Sequence, residues 1–435
     1  MRKTKTIVAL LLVAMLAVTA MVTLVACNKE TETPTLLVWA PTNAQNFYKT
    51  WANKWAETYK DSQGRSYKVK LGIQGENDAA TEMIKLTSDG ADVFCFADDQ
   101  LGQLINANLL SAIGDPTVKD TAAYNVATRN AAGSVTAATA NGKLYAYPMQ
   151  ADNGWYLYYN SDFFKNPEDV TSWDKMWEIV DAWNAEHPDD QKQMHFDCYG
   201  DAWYGASWFY TFGGKLDMTS TTFNSDEIGL KALKAAYHFS AGHGDALLCC
   251  SPNDIVASDV NDGKLVALVA GGWVYDNYSN DDLVLTKMPT IKDPDDPTKE
   301  YTMVSFLGSK LMGVNGQGKY QEASHALANY LTGEEVQIAK AETLKAGPSN
   351  IVAADSDAAK NLPTVQALAK QAAYSVPQVN IPDTIWKALP NAALNYVSAK
   401  NTTYVDTYFP NGVADEAKLK ELLAAMYDAL FVNPL

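Results

Sequence analysis

Thr35-Leu36-Leu37-Val38-Trp39 opens an alternation that carries the fold, and it is followed by Phe47, Trp51, Trp55 and Tyr59 at every fourth position. The first is a short apolar run suited to a buried strand, and the second is one face of a helix. Lys68–Ile73 then places Val69, Leu71 and Ile73 on one side, the period of a strand. Met83, Ile84 and Thr87 recur at helical spacing, Asp89-Gly90 turns the chain, and Val93–Phe96 is apolar again. Strand, helix, strand, helix, strand predicts an α/β unit with a mainly parallel sheet. Ligands of such sheets bind beyond the carboxyl ends of the strands, so the loops after Trp39, Ile73 and Phe96 are expected to matter.

Working outward, Trp173, Met176, Trp177 and Val180 form one helical stripe, and Ala323, Ala326, Leu327 and Tyr330 form another. Val266, Leu268 and Ala270 lead as a strand into Gly271-Gly272-Trp273. Leu419, Leu422, Leu423, Met426 and Leu430 mark a final amphipathic helix. No repeat or long linker interrupts the 435 residues, a length that predicts two or three units. Two α/β lobes sharing a cleft satisfy the pattern.

The amino terminus reads as an address. Arg2, Lys3 and Lys5 precede an apolar run from Ile7, which ends at Leu24-Val25-Ala26-Cys27 before polar Asn28-Lys29-Glu30. This is similar to a bacterial lipobox, which implies removal of residues 1–26 and a lipid on Cys27, with residues 27–34 as a tether. With 34 basic and 51 acidic residues the chain carries −17, and loss of the three amino-terminal cations makes it −20. Such a charge repels anionic headgroups and phosphates alike, so the lipid must hold the protein at the membrane and nucleic acid is excluded as a partner.

Little in the sequence signals catalysis. It lacks a P-loop, an HExxH helix and a GxSxG elbow. Gly316-Gln317-Gly318 misses the third glycine of a dinucleotide fingerprint and reads as a turn. His238 and His243 are five apart around Gly242, and adjacent Cys249-Cys250 fits no zinc spacing. Cys95 and Cys198 look like core positions, and Asp293–Asp296 looks like a solvated loop rather than a calcium site. No cofactor and no metal are expected. By contrast, 11 Trp and 23 Tyr are a large aromatic stock. Several stand beside acids in loops: Phe96 with Asp98-Asp99, Asp152 with Trp155, Asp201 with Trp203. An aromatic face covers the C–H face of a sugar while a carboxylate accepts from its hydroxyls.

Ordered blocks from about residue 35 to 395 resemble the extracellular solute-binding proteins of ABC importers, in particular the maltose/maltodextrin-binding group. They are Leu36–Trp39, Asp89–Val93, Asn141-Gly142-Lys143-Leu144-Tyr145-Ala146-Tyr147-Pro148 running on to Tyr158–Asp162, Thr171–Asp174, Gly263–Trp273, Ala323–Gln337 and Val379–Trp386. The resemblance implies a two-lobed periplasmic-binding-protein fold of type II, with interlobe hinge strands. Residues 35–150 and 290–347 would form one lobe, and 151–289 and 348–435 the other. It implies stacking by Phe96, Trp203, Trp273 and Trp386, and hydroxyl binding by Asp99, Asp152 and Asp201. Gln100 and Pro390 replace two arginines of maltose binders, and Pro41, Asn43 and Ala44 replace their polar-basic first loop. The expected role is a monomeric, lipid-anchored, extracytoplasmic binder, not an enzyme, that passes malto-oligosaccharides to an ABC permease. Another oligosaccharide, a surface glycoside hydrolase and a polysaccharide-docking adhesin remain the alternatives.

Overall fold

A computed structural model describes residues 33–197, 201–379, 381–382, 384–389 and 402–432. Residues 1–26, Cys27, Cys198 and Pro390 therefore lie outside the described residues.

The amino-terminal alternation forms as read: β1 (Thr35–Ala40), α1 (Gln45–Thr58), β2 (Lys68–Ile73), α2 (Ala79–Leu86) and β3 (Val93–Ala97). β1 pairs in parallel with both β2 and β3. β2 is the edge, which leaves Ile73 67% exposed instead of packed. On α1 the buried residues are Tyr48, Ala52 and Trp55, with Phe47, Trp51 and Tyr59 half-buried beside them. A step of four residues turns a helix by about 400°, so a strict i+4 series drifts off the core-facing line.

β4 (Ala146–Gly154) is followed after one residue, Trp155, by β5 (Tyr156–Asn160). α3 (Trp173–Glu186) buries Trp173, Met176, Trp177 and Val180, the stripe its spacing predicts, and Ser172 caps it by accepting from the Lys175 N–H. β6 (Gln193–His195), α4 (Ala202–Thr211), α5 (Asp226–Ser240), β7 (Leu247–Leu248), β8 (Leu265–Ala270) and β9 (Leu283–Thr286) follow. Then come β10 (Ser305–Val314), α6 (Gln321–Leu331), α7 (Glu334–Leu344), β11 (Ser375–Pro377), the short α8 (Ile385–Leu389) and α9 (Glu416–Tyr427).

Two sheets result. One has the order β11-β10-β3-β1-β2, with β4 also on β10; the other has the order β9-β5-β8-β6-β7. In the first, β10 runs antiparallel to β3 and β4; in the second, β5 runs antiparallel to β8 and β9. Each sheet has its own core: Phe94, Phe96, Leu311 and Met312 belong to one, and Trp173, Phe196, Phe209 and Phe239 to the other. The chain is thus a two-lobed α/β protein.

Among the described residues the chain crosses between the lobes at several places, and the following segments floor the space between them. β4 passes into β5 at Trp155. β10 starts with Phe306 in the second core and ends with Val314 in the first. After β11, pairing with β10, the chain reaches the second core at Ile381. The hairpin Thr290–Lys292 with Glu300–Thr302 packs Ile291 against the second core, although the sequence division grouped it with the first lobe. β11, grouped with the second, extends the first sheet.

The cysteine, histidine and acidic segments are tied into their surroundings by packing and ion pairs. Cys95 is buried in the first core. His243 stacks on Trp177 at 3.8 Å and pairs with Asp181 at 3.0 Å. Asp293 is not solvated: it is 1% exposed and held by Lys231 at 2.8 Å. Replacing Ser172 by Ala removes the cap of α3 and is expected to cost about 1 kcal/mol, read as a lowered urea midpoint.

Candidate functional site

α4 begins where Asp201 turns its carboxylate back to accept the Trp203 N–H at 2.8 Å. This N-cap fixes the acid and the aromatic side by side at the helix start. Trp203 leans on Trp155, the crossing residue, at 6.3 Å and 77°, and meets Trp273 at 5.5 Å and 40°. Trp273 lies on the short turn Gly272–Asn277 that ends β8. Its ring folds back over Gly271, whose backbone is ordinary (φ −94°) but whose Cβ position the indole occupies. Tyr158 Oη donates to the Gly271 carbonyl at 2.8 Å and holds that turn. Trp386, on α8, packs its edge against Phe306 of β10 at 6.0 Å.

Trp203, Trp273 and Trp386 are each half-buried and line one cleft of about 560 Å³, within the usual range for small-molecule sites. The facing wall comes from the first lobe: the loop Gly75–Asp78 after β2, then Asp99 and Gln100 after β3. Gln100 is clamped to the protein instead of the cleft. Its Oε1 accepts from Ala80 N at 2.8 Å and its Nε2 donates to the Glu76 carbonyl at 2.6 Å, which fastens the loop in place. All three loops expected after the first strands reach this region, because Pro41, Asn43 and Ala44 line an adjoining recess of about 70 Å³.

That recess shares Glu76, Trp273 and Lys310 with the larger cleft and adds Asp152. Lys310 pairs with Glu76 at 3.1 Å, the side chains being 15% and 12% exposed. Burial opposes the lysine's charge, but Glu76 and Asp152 outweigh it and its pKa rises. Asp152 accepts from Gly347 N and from Gln150 Nε2; burial nonetheless pushes its carboxyl above the usual range, with Lys310 opposing. The protein packed around Asp201 likewise raises its carboxyl, although the residue keeps exposed surface.

Six of the seven expected residues thus gather around one connected cleft: Asp99, Asp152, Asp201, Trp203, Trp273 and Trp386. Phe96 does not. It is 0% exposed, packed against Phe94 at 5.6 Å inside the first core, and no face of it reaches a ligand. In β3 all five residues are buried, so alternation offered no exposed side to the ring. Sequence reading missed Glu76, Lys310 and Gln378. Lys310 had a signal, a lone cation inside the otherwise uncharged strand Ser305–Val314.

Flat apolar faces on one wall and hydrogen-bonding groups on the other suit a neutral ligand rich in hydroxyls. Comparison with known proteins agrees with a capture site. Residues 54–367 match the family described as bacterial extracellular solute-binding protein. The chain belongs to that family. It is 23% identical over 325 residues to the galactooligosaccharide-binding protein of Bacillus subtilis (strain 168), covering 72% of this chain and 73% of that one. Its fold is similar to the maltodextrin-binding protein MalE1 from L. casei BL23 (TM-score 0.71, 20% identity, 91% of this chain and 99% of that one). It is also similar to a protein solved with acarbose (TM-score 0.74, 23% identity, 92% and 98%). Members of this extracellular solute-binding family are binding proteins rather than enzymes, which places the chain outside the cytoplasm. Among the described residues no helix is long and apolar enough to cross a membrane.

Replacing Lys310 by Met in this solute-binding protein removes the cation that pairs with Glu76 and faces Asp152, and leaves them the buried Lys340 of the same recess. The expected cost at pH 7 is about 3 kcal/mol. Because Asp152, already raised by burial and opposed by Lys310, would then titrate higher still in the folded state, the deficit should shrink from pH 7 towards pH 5, as thermal melts of both proteins would show.

Proposed function

We propose that the protein captures an oligosaccharide between its lobes and presents it to the membrane subunits of an ABC importer. The observation that carries this reading is the convergence of Trp203, Trp273 and Trp386, from three separate stretches of chain, on one cleft opposite acidic loops. Each indole would cover a pyranose face, while Asp99, Asp152 and Asp201 would accept from hydroxyls. A site built around hydroxyl partners rejects analogues that lack them, because a buried carboxylate left unpaired is costly. The crossing segments would act as the hinge for closure, and the permease would read the closed form.

Malto-oligosaccharides are the first ligands proposed, supported by the aromatic platforms. Galacto-oligosaccharides are the second reading, favoured by the Bacillus relative named for them. Among the described residues no arginine lines the cleft, which fits a grip that depends on stacking more than on cationic contacts. Lipid attachment at Cys27, cleavage before it and a monomeric state complete the proposal; Cys27→Ser should move the protein from the membrane to the soluble fraction.

A thermal-shift screen over maltose, maltotriose, maltotetraose and galacto-, cello- and xylo-oligosaccharides tests the assignment, since a ligand that binds only the folded state raises its melting temperature. No shift with any of them would sink the oligosaccharide reading. For the ligand that binds, Trp203→Ala, Trp273→Ala and Trp386→Ala should each weaken calorimetric affinity by roughly tenfold or more, the loss of one stacked ring. Unchanged product length after prolonged incubation with maltoheptaose is expected, because the cleft grips and does not cleave.

A further inference from the structure

Gln378 stands where the chain leaves the first sheet, one residue past Pro377 and three before Ile381 in the second core. It is 2% exposed. Its Oε1 accepts the indole N–H of Trp203 at 2.9 Å, and its Nε2 donates to the Asp98 carboxylate. The other Asp98 oxygen accepts from Ser309 N at 2.8 Å. The amide can sit only one way round, because an indole nitrogen only donates and a carboxylate only accepts. A single side chain therefore ties the platform of one lobe to a buried acid of the other.

Gly308 is an independent sign of the same arrangement. Its backbone does not lie in the left-handed region, so its conformation does not require glycine. A Cβ there would stand 2.5 Å from Gln378 Nε2 and 2.8 Å from Asp98 Oδ1. The crossing strand lacks a side chain at the point where the amide meets the carboxylate.

We propose that Gln378 is a positioning residue for ligand capture: it clasps Trp203 to Asp98 across the lobes and so sets the ring against which the sugar stacks. This rests on the oligosaccharide reading of the cleft. The clasp has a pH dependence. Burial first, and the neighbouring Asp99 second, push the Asp98 carboxyl up to about 7, with Gln378 and Ser309 opposing. The other titratable groups around the cleft are Glu76 and Lys310, paired with each other, Asp78 on the same loop as Glu76, and Asp201 and Tyr204 on the facing wall. As a carboxylate Asp98 accepts both bonds with charge assistance; once protonated it holds Gln378 less strongly. Affinity should therefore fall as pH drops through 7.

Two substitutions give the test its direction. In Asp98→Asn an oxygen kept on Ser309 N turns an NH₂ towards the NH₂ of Gln378, and flipping Gln378 sets its NH₂ against the indole N–H. This variant should bind weakly with a flat pH profile. In Gln378→Glu two carboxylates face each other and need a shared proton, so affinity should rise as pH falls, opposite to the wild type. Calorimetry with the tightest oligosaccharide of the screen, from pH 8.5 to 5.5, reads both slopes; a wild-type loss of about tenfold is expected for one charge-assisted bond. The Trp203 indole ¹H–¹⁵N resonance of the ligand-free protein, assigned by its loss in Trp203→Phe, should titrate near 7 and stay still in Asp98→Asn. Identical slopes in all three proteins, or an indole resonance that ignores pH in the wild type, overturns the clasp. Failure of every sugar to bind overturns the oligosaccharide reading instead, and the resonance still decides the clasp.

Discussion

The structure depends on β10 belonging to two cores at once. Its first residues pack Phe306 among the aromatics of one lobe, and its last pack Leu311, Met312 and Val314 into the other. A strand shared in this way cannot shift for one lobe without disturbing the other. The chain also crosses at Trp155 and beyond Pro377, so the cleft has a floor of extended backbone and two walls with separate interiors. Extended segments flex at few positions while packed cores resist deformation, which favours motion of whole lobes over loosening within them.

The walls divide the chemistry. The second lobe supplies the indoles, and these are supported from behind: Trp155 is fully buried and Trp203 rests on it, with Trp273 tilted alongside. An aromatic platform braced in this way loses little freedom on binding. The first lobe supplies the loops after its parallel strands, where Gln100 holds the Glu76 carbonyl in place. Lys310 stands at the junction of cleft and recess, where it pairs with Glu76 and faces Asp152, and the buried Lys340 of the same recess acts on both acids as well.

Gln100 lines the cleft wall, yet the protein itself takes up its hydrogen-bonding groups. The amide turns inward, satisfied by one backbone donor and one backbone acceptor. Gln378 uses the same inventory of one acceptor and one paired donor on side chains, and the match of each end to its partner makes both amides structurally definite.

Periodicity alone determined the alternating elements of the first lobe, the stripe of α3, the final helix, and the three strand-end loops that reach the cleft. Those are local properties: each follows from which residues recur at 2 or 3.6 along a short segment. Residues adjacent in sequence, such as Asp201 and Trp203, could also be paired correctly, because a helix start binds them together. Only the tertiary structure decided that Phe96 is core, that Lys310 and Gln378 belong to the cleft, and that Ala52 rather than Phe47 faces inward on α1. A strand buried on both faces hides which side chain points out, and a partner some 200 residues away leaves no periodic mark. Those positions are set by where the two lobes meet, and that meeting is a property of the whole chain.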